Sequence, residues 1–403
     1  MALMRISVAV LFTAILLGLS LASSNSPSFA QQSSPAPKPS SRTEFVGDEA
    51  CRACHAGEFD SYQHTAHHLT SREPSAQSIA GKFTPGSNIL TTINPLLTFH
   101  MEEKDGSFYE VAVTGEPPKV TTRRERIDFV IGSGGKGQTY LYWHGNELFE
   151  LPVSYWTELG KWVNSPGYLD GVADFDRPIV PRCFECHATY IHALSASPND
   201  YLYEKSGYVL GISCERCHGP GRRHAEMFRS AVYGADPSET KIVNPSKLSR
   251  DVAMGVCAQC HGGLGKSLAP AFSYVPGEPL EKYIELQQPG PEQSVDVHGN
   301  QIALLERSKC FQSSASMTCW TCHEEHAPEK PAASYVPHCL ACHKVASCGL
   351  YAKVGGKIAT HCIDCHMPVQ DSHLIVSADN GRQVSARVRN HWIKVYPELQ
   401  TLP

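Results

Sequence analysis

Two cysteines three positions apart, followed at once by a histidine, recur seven times in 403 residues. The copies are Cys51, Cys54 and His55; Cys183, Cys186 and His187; Cys214, Cys217 and His218; Cys257, Cys260 and His261; Cys319, Cys322 and His323; Cys339, Cys342 and His343; and Cys362, Cys365 and His366. On one turn of helix, residues i and i+3 face the same way, so both thiols can reach the vinyl groups of one porphyrin while the next side chain offers its imidazole to the iron. The spacing is therefore that of covalent c-type haem attachment. Seven copies call for seven covalently attached haems, each with its motif histidine as the proximal iron ligand. Structural zinc would need four ligands from paired knuckles, which a repeated single motif does not supply. A thioredoxin-like redox pair would occur once and would lack the following histidine.

The second axial ligands must come from elsewhere in the chain. Twenty histidines less the seven of the motifs leave thirteen, more than seven irons require. His326 stands three residues after His323, too close to reach the opposite face of the same iron, but able to serve a neighbouring one. By position, His298, His373 and His391 are further candidates. His100 alternates with Glu102 in an expected hairpin and His144 opens a turn, so both are expected to face solvent. Met367 follows His366 directly and points away from that iron, so methionine ligation is the minority reading.

The elements that position these groups can be read more coarsely. The seven motifs are separated by 132, 31, 43, 62, 20 and 23 residues, with no fixed period, which excludes a solenoid. Six of them are crowded between Cys183 and His366, too few residues per haem for a side-chain core around each. Porphyrins should then form much of that core, with short helices around them, and the haem-free chain is not expected to fold. The fold expected is mainly α with irregular loops around a stacked multihaem core, plus a small β-rich module between the first and second haem sites. That module, residues 83–160, contains alternating runs at Thr98 to Val113, around Lys104-Asp105-Gly106, and at Thr139 to Leu151, around His144-Gly145-Asn146. Gly132, Gly134, Gly135 and Gly137 resemble a phosphate loop, but no Lys-Ser/Thr follows, and a tight turn is the better reading.

Residues 1–30 carry Arg5, an apolar run from Ile6 to Leu21 and a small-x-small ending at Ala30, the pattern of a secretory signal peptide. Residues 31–44 are a Pro/Ser-rich linker, 45–82 a first haem-binding segment and 161–403 a six-haem cytochrome domain. Cleavage near Ala30 would make the protein periplasmic or otherwise exported, with no transmembrane segment in the mature chain. A net charge of −5 and a pI of about 6.5 argue against a nucleic-acid partner. Cys310 and Cys348 lie outside the motifs and, in an oxidising compartment, are expected to form a disulfide.

The blocks GDEACRACHAGEFDSYQHTAHH, ISCERCHGPGRRH, SMTCWTCHEEH and HCIDCHMP, with the ending HWIKVYPE, resemble the multihaem cytochromes of the cytochrome c-554 family. The resemblance covers residues 45–70 and 183–395. It implies distal ligation by His67, His224 and His326, and single-electron transfer as the typical function. Redox proteins are the implied partners, a membrane quinol-linked cytochrome among them; oligomeric state stays open. Related families with shared haem arrangements include hydroxylamine-oxidising and nitrite- or tetrathionate-reducing enzymes. The alternative is thus a multihaem oxidoreductase acting on a small nitrogen or sulfur compound at one five-coordinate haem, with Arg222 and Arg223 as candidate anion-binding groups. A third class, a cohesive or filament-forming cytochrome, would need a long exposed apolar interface.

Overall fold

The computed structural model describes residues 41–195, 201–230, 240–287, 289–290 and 293–399. The expected signal peptide and most of the Pro/Ser-rich linker lie outside the described residues.

Strict alternation builds the first sheet. Strands β1 (Ser71–Arg72), β2 (Ile89–Thr91), β3 (Leu97–Lys104), β4 (Ser107–Glu116) and β5 (Lys119–Arg126) follow one another, and β2 to β5 form a four-stranded antiparallel meander. In β3, Leu97, Phe99 and Met101 point inward while the residues between them are half exposed, as a period of two requires. Asp105 (φ 52°) and Gly106 (φ 72°) close the β3–β4 hairpin, both in the left-handed region that a tight hairpin turn demands.

A second sheet of six strands combines β1 with β6 (Phe129–Ile131), β7 (Gly137–His144), β8 (Glu147–Glu150), β9 (Val153–Trp156) and β10 (Lys161–Asn164), in the order β1-β6-β7-β9-β10 with β8 also on β7. Gly132 sits at the β6–β7 turn with φ 104°, where a Cβ would come within 2.6 Å of the Gly137 carbonyl, so the glycine run serves the turn. The inner faces of both sheets share one core that includes Phe99, Met101, Tyr140, Tyr142, Val153 and Trp162.

The cysteine motifs occupy much shorter elements. Helices Asp48–Arg52, Pro181–His187, Cys214–His218, Arg250–His261 and Cys362–His366 carry five of them. Cys319 opens a 3-10 turn, Cys319–Thr321, and Cys339 lies at the end of helix Val336–Leu340. The longest of these helices has only 12 residues.

The expectation of a mainly α fold is therefore overturned: the chain is 30% helical and 25% strand, with several β-sheets. The cause is local. Each attachment motif needs about one helical turn, so seven motifs add little helix, while the strands are long and paired. A further hairpin, Val369–Asp379 with Arg382–Arg389, turns at Asn380 and Gly381 and adds to the strand content. Its tip docks on the β module: Asn164 Nδ2 donates to the Ala378 carbonyl at 3.0 Å, the Gly167 N–H donates to the Val376 carbonyl at 3.0 Å, and Lys161 pairs with Asp379.

Candidate haem sites

Imidazoles from distant segments meet in pairs across the fold. His218 and His326 stack with ring centres 6.0 Å apart and planes 10° from parallel. His323 and His391 lie 6.2 Å apart at 29°, and His67 and His261 lie 6.0 Å apart at 81°. Two imidazoles bound to opposite faces of one metal, with metal–nitrogen bonds of about 2.0–2.1 Å, have ring centres on the order of 6 Å apart. Each of the three pairs joins a motif histidine to a histidine outside the motifs. The His224 and His55 imidazoles, and those of His298 and His187, lie within electrostatic reach of one another. The distant segments thus bring candidate second ligands to five of the seven motifs.

Tautomer and ring orientation follow from what holds Nδ1. His218 Nδ1 donates to the Val243 carbonyl at 2.9 Å, and His366 Nδ1 donates to the Lys394 carbonyl at 2.7 Å. A carbonyl only accepts, so each ring carries its proton on Nδ1 and turns an Nε2 lone pair outward. His391 Nδ1 meets the Arg389 carbonyl at 3.1 Å, His187 Nδ1 the Thr70 hydroxyl at 3.0 Å and His261 Nδ1 the Gln301 Oε1 at 3.3 Å. Burial pushes His67, His187 and His391 down to about 4, keeping them in the neutral form that binds metal. Burial also lowers His218, His224, His261, His298 and His323. Among the described residues, no group of three or more His, Cys, Asp and Glu side chains is placed to hold a bare metal ion. The donor set fits haem, in which the porphyrin supplies the equatorial nitrogens and the protein two axial ones.

The elements that carry different motifs also pack on one another. Helix Asp48–Arg52 lies against helix Cys214–His218, and helix Pro181–His187 against helix Arg250–His261. Gln259 Nε2 donates to the Arg216 carbonyl at 3.4 Å, Cys319 Sγ lies 3.8 Å from Met254 Sδ, and the His323 ring lies 5.2 Å from that of Tyr335, which precedes helix Val336–Leu340. Backbone contacts agree: the Cys214 N–H donates to Asp48 Oδ1 at 2.9 Å, and helix Val336–Leu340 packs on helix Cys362–His366. The motifs therefore run first, third, fourth, fifth, sixth, seventh, with the second joined at the fourth.

A family profile described as cytochrome c554 and c-prime matches residues 168–219, which hold the second and third motifs. A C-type polyheme cytochrome, OmcC of Geobacter sulfurreducens, is 23% identical over 168 residues, 40% of this chain and 20% of the relative, so the match spans about a fifth of that protein. The crystal structure of the outer cell wall cytochrome OcwA superposes with a TM-score of 0.53 at 18% identity, covering 87% of this chain and 80% of that one. The chain is a multihaem c-type cytochrome. Proteins of this kind carry covalently attached c-type haem.

Other residues singled out in the sequence fall elsewhere in the cytochrome. His373 is exposed at the start of the C-terminal hairpin, its N–H donating to Asp296, and no described motif imidazole lies against its ring. Asp296 also accepts from the Ser372 hydroxyl and the His298 N–H, so the hairpin steadies the loop that carries His298. Arg222 donates to the Thr43 and Phe45 carbonyls and pins the amino-terminal segment to helix Arg222–Arg229. His144 is exposed, and His100 is half-buried with Nε2 on the Thr98 hydroxyl.

The disulfide expected between Cys310 and Cys348 is not formed. Cys310 lies in helix Lys309–Ser313, whereas Cys348 ends the turn Val345–Ser347. Sequence reasoning missed the groups on Nδ1 altogether, since a backbone carbonyl such as that of Val243 leaves no residue-type signature. It also missed the C-terminal hairpin, although Asn380-Gly381 between alternating runs is a strong hairpin signal.

Proposed function

We propose that this cytochrome attaches seven haems through its seven motifs and passes single electrons between redox partner proteins, outside the cytoplasm, after cleavage of a signal peptide near Ala30. The carrying observation is the packing of the motif-bearing elements on one another, which forms one run with a side branch. Haem, once bound, supplies a one-electron iron couple whose potential depends on axial ligands, burial and hydrogen bonding. The chain supplies the rest. The motif histidines provide one imidazole per site; His224, His298, His326, His67 and His391 provide the second for the first, second, third, fourth and fifth motifs in turn. Carbonyl and hydroxyl acceptors on Nδ1 hold several of those rings in place. Residues 45–82 and 161–403 would bear the haems, with residues 83–160 as the β-rich module between. The export reading rests on residues 1–30 and accords with the outer cell wall for which the cytochrome OcwA is named. Among the described residues no helix is long and apolar enough to cross a membrane.

The intact mass should exceed that of the processed polypeptide by seven haem groups that resist acid-acetone extraction; two or fewer would sink the proposal. One observation favours the oxidoreductase as a second reading: among the described residues, no second imidazole faces His343 or His366. Carbon monoxide separates the two readings. A reduced spectrum unchanged by it marks a conduit, while ligand bound at one or two equivalents, with turnover of nitrite, hydroxylamine or tetrathionate, marks an enzyme.

A further inference from the structure

The sixth motif, like the first, is open to solvent. Cys342 and His343 are exposed, as are Leu340 and Tyr351 at 38% and 39%. The surrounding stretch is charged in one sense only. From Lys330 to Ile363 the chain carries Lys330, Lys344, Lys353 and Lys357 and no Asp or Glu, in a protein whose net charge is −5. All four lysines are exposed, and none forms an ion pair with a described residue. Lys136, Lys161 and Lys241 have carboxylate partners, and unpaired Lys104 and Lys119 stand in segments that also carry Glu102, Glu103, Asp105 and Glu116, so what sets this stretch apart is its single sign of charge. The lysines are also gathered in space. Lys344 caps the turn Val345–Ser347, Lys353 lies in helix Tyr351–Val354 and Lys357 in the 3-10 helix Gly355–His361, and these three elements pack on one another.

Unpaired lysines keep their full charge available to an approaching molecule, and a one-signed surface raises the rate at which an oppositely charged partner arrives. Lysine at the rim with small exposed apolar and aromatic groups at the centre is the make-up of a transient docking site. We propose that the surface formed by Lys344, Lys353 and Lys357 around the sixth motif is the docking site for an acidic electron-transfer protein. The inference rests on the electron-transfer reading and assigns the sixth motif, next to the carboxyl-terminal end of the run, to that partner. Each encounter moves one electron: the partner is oxidised by one equivalent and the cytochrome reduced by one, or the reverse.

Reduced plant-type ferredoxin, an acidic one-electron donor, is a suitable probe. Its oxidation by the ferric holoprotein is followed by stopped flow across ionic strength. In Lys344→Glu/Lys353→Glu the second-order rate constant should fall about tenfold at low salt and converge with wild type at about 1 M, where the Debye length is only about 3 Å. Lys104→Glu/Lys119→Glu, the same charge change on exposed lysines of the β module, should leave the rate within about twofold. Haem content and midpoint potentials, measured on both variants, should match wild type. Equal losses in the two variants, or a wild-type rate indifferent to salt, would overturn the proposal. Loss of binding to anionic lipid vesicles with the ferredoxin rate unchanged would overturn it as well, reassigning the surface to membrane. Failure of the electron-transfer reading itself is distinguishable, because then even wild type would take no electrons from ferredoxin.

Discussion

The β module and the stretch from Lys309 to His366 are built on opposite plans. In the module, Phe99, Phe129, Tyr140, Tyr142, Leu151 and Trp162 are almost completely buried, and long antiparallel ladders satisfy the backbone. From Lys309 to His366 the chain has helices of four or five residues and 3-10 turns. Phe311, Val336, Ile358 and Ile363 are its only buried apolar side chains. The first region closes its core with its own side chains. The second has sequence enough for attachment and ligation but not for a core, so its order depends on what is covalently added.

The largest test of this contrast is removal of haem. Limited proteolysis of chain produced without haem attachment should digest residues 309–366 rapidly while a fragment spanning about residues 71–175 persists. Digestion of both regions at one rate would show that the module also depends on haem. Next in size, Trp162→Ala should destabilise the module by about 3–5 kcal/mol, since a fully buried indole is lost between two sheets. Haem content should stay at the wild-type value, and thermal unfolding by near-UV circular dichroism would reveal a smaller cost if the core relaxes.

A pH effect should follow within the module. Glu110 is fully buried; its Oε2 accepts the Val153 N–H at 3.1 Å, and Oε1 has no partner. Burial pushes its carboxyl well above the usual range, and Glu150 adds to the rise. The folded state therefore holds a proton that the unfolded chain releases. The stability this confers is fully present below about pH 4.5 and is lost as pH rises through the raised folded value. Glu110→Gln should flatten that dependence and raise the melting temperature at neutral pH; an unchanged pH profile would remove Glu110 as its source. Smallest of all, Cys310→Ser should change stability by no more than about 0.5 kcal/mol, because an unlinked, half-buried thiol is replaced by a near-isostere. A loss of roughly 4 kcal/mol would instead reveal a closed loop to Cys348.

How much was legible depended on the range of the interaction. The β3–β4 and β7–β8 hairpins could be read because their turns, at Asp105-Gly106 and Gly145, are local and their strands alternate. The overall class could not: seven motifs suggest helix, yet each spans about one turn, and the carboxyl-terminal hairpin adds strand far from the β-rich segment.

The sequence by itself determined the attachment chemistry, since two thiols and an imidazole within five residues need only one turn of chain to act together. It also determined which histidines were in surplus. Only the tertiary structure decided which of them meet: His326 reaches His218 across 108 positions, and His67 reaches His261 across 194. Such pairings are set by how the β module, the carboxyl-terminal hairpin and the motif helices pack, and packing depends on contacts between residues far apart in the chain, which no local spacing encodes.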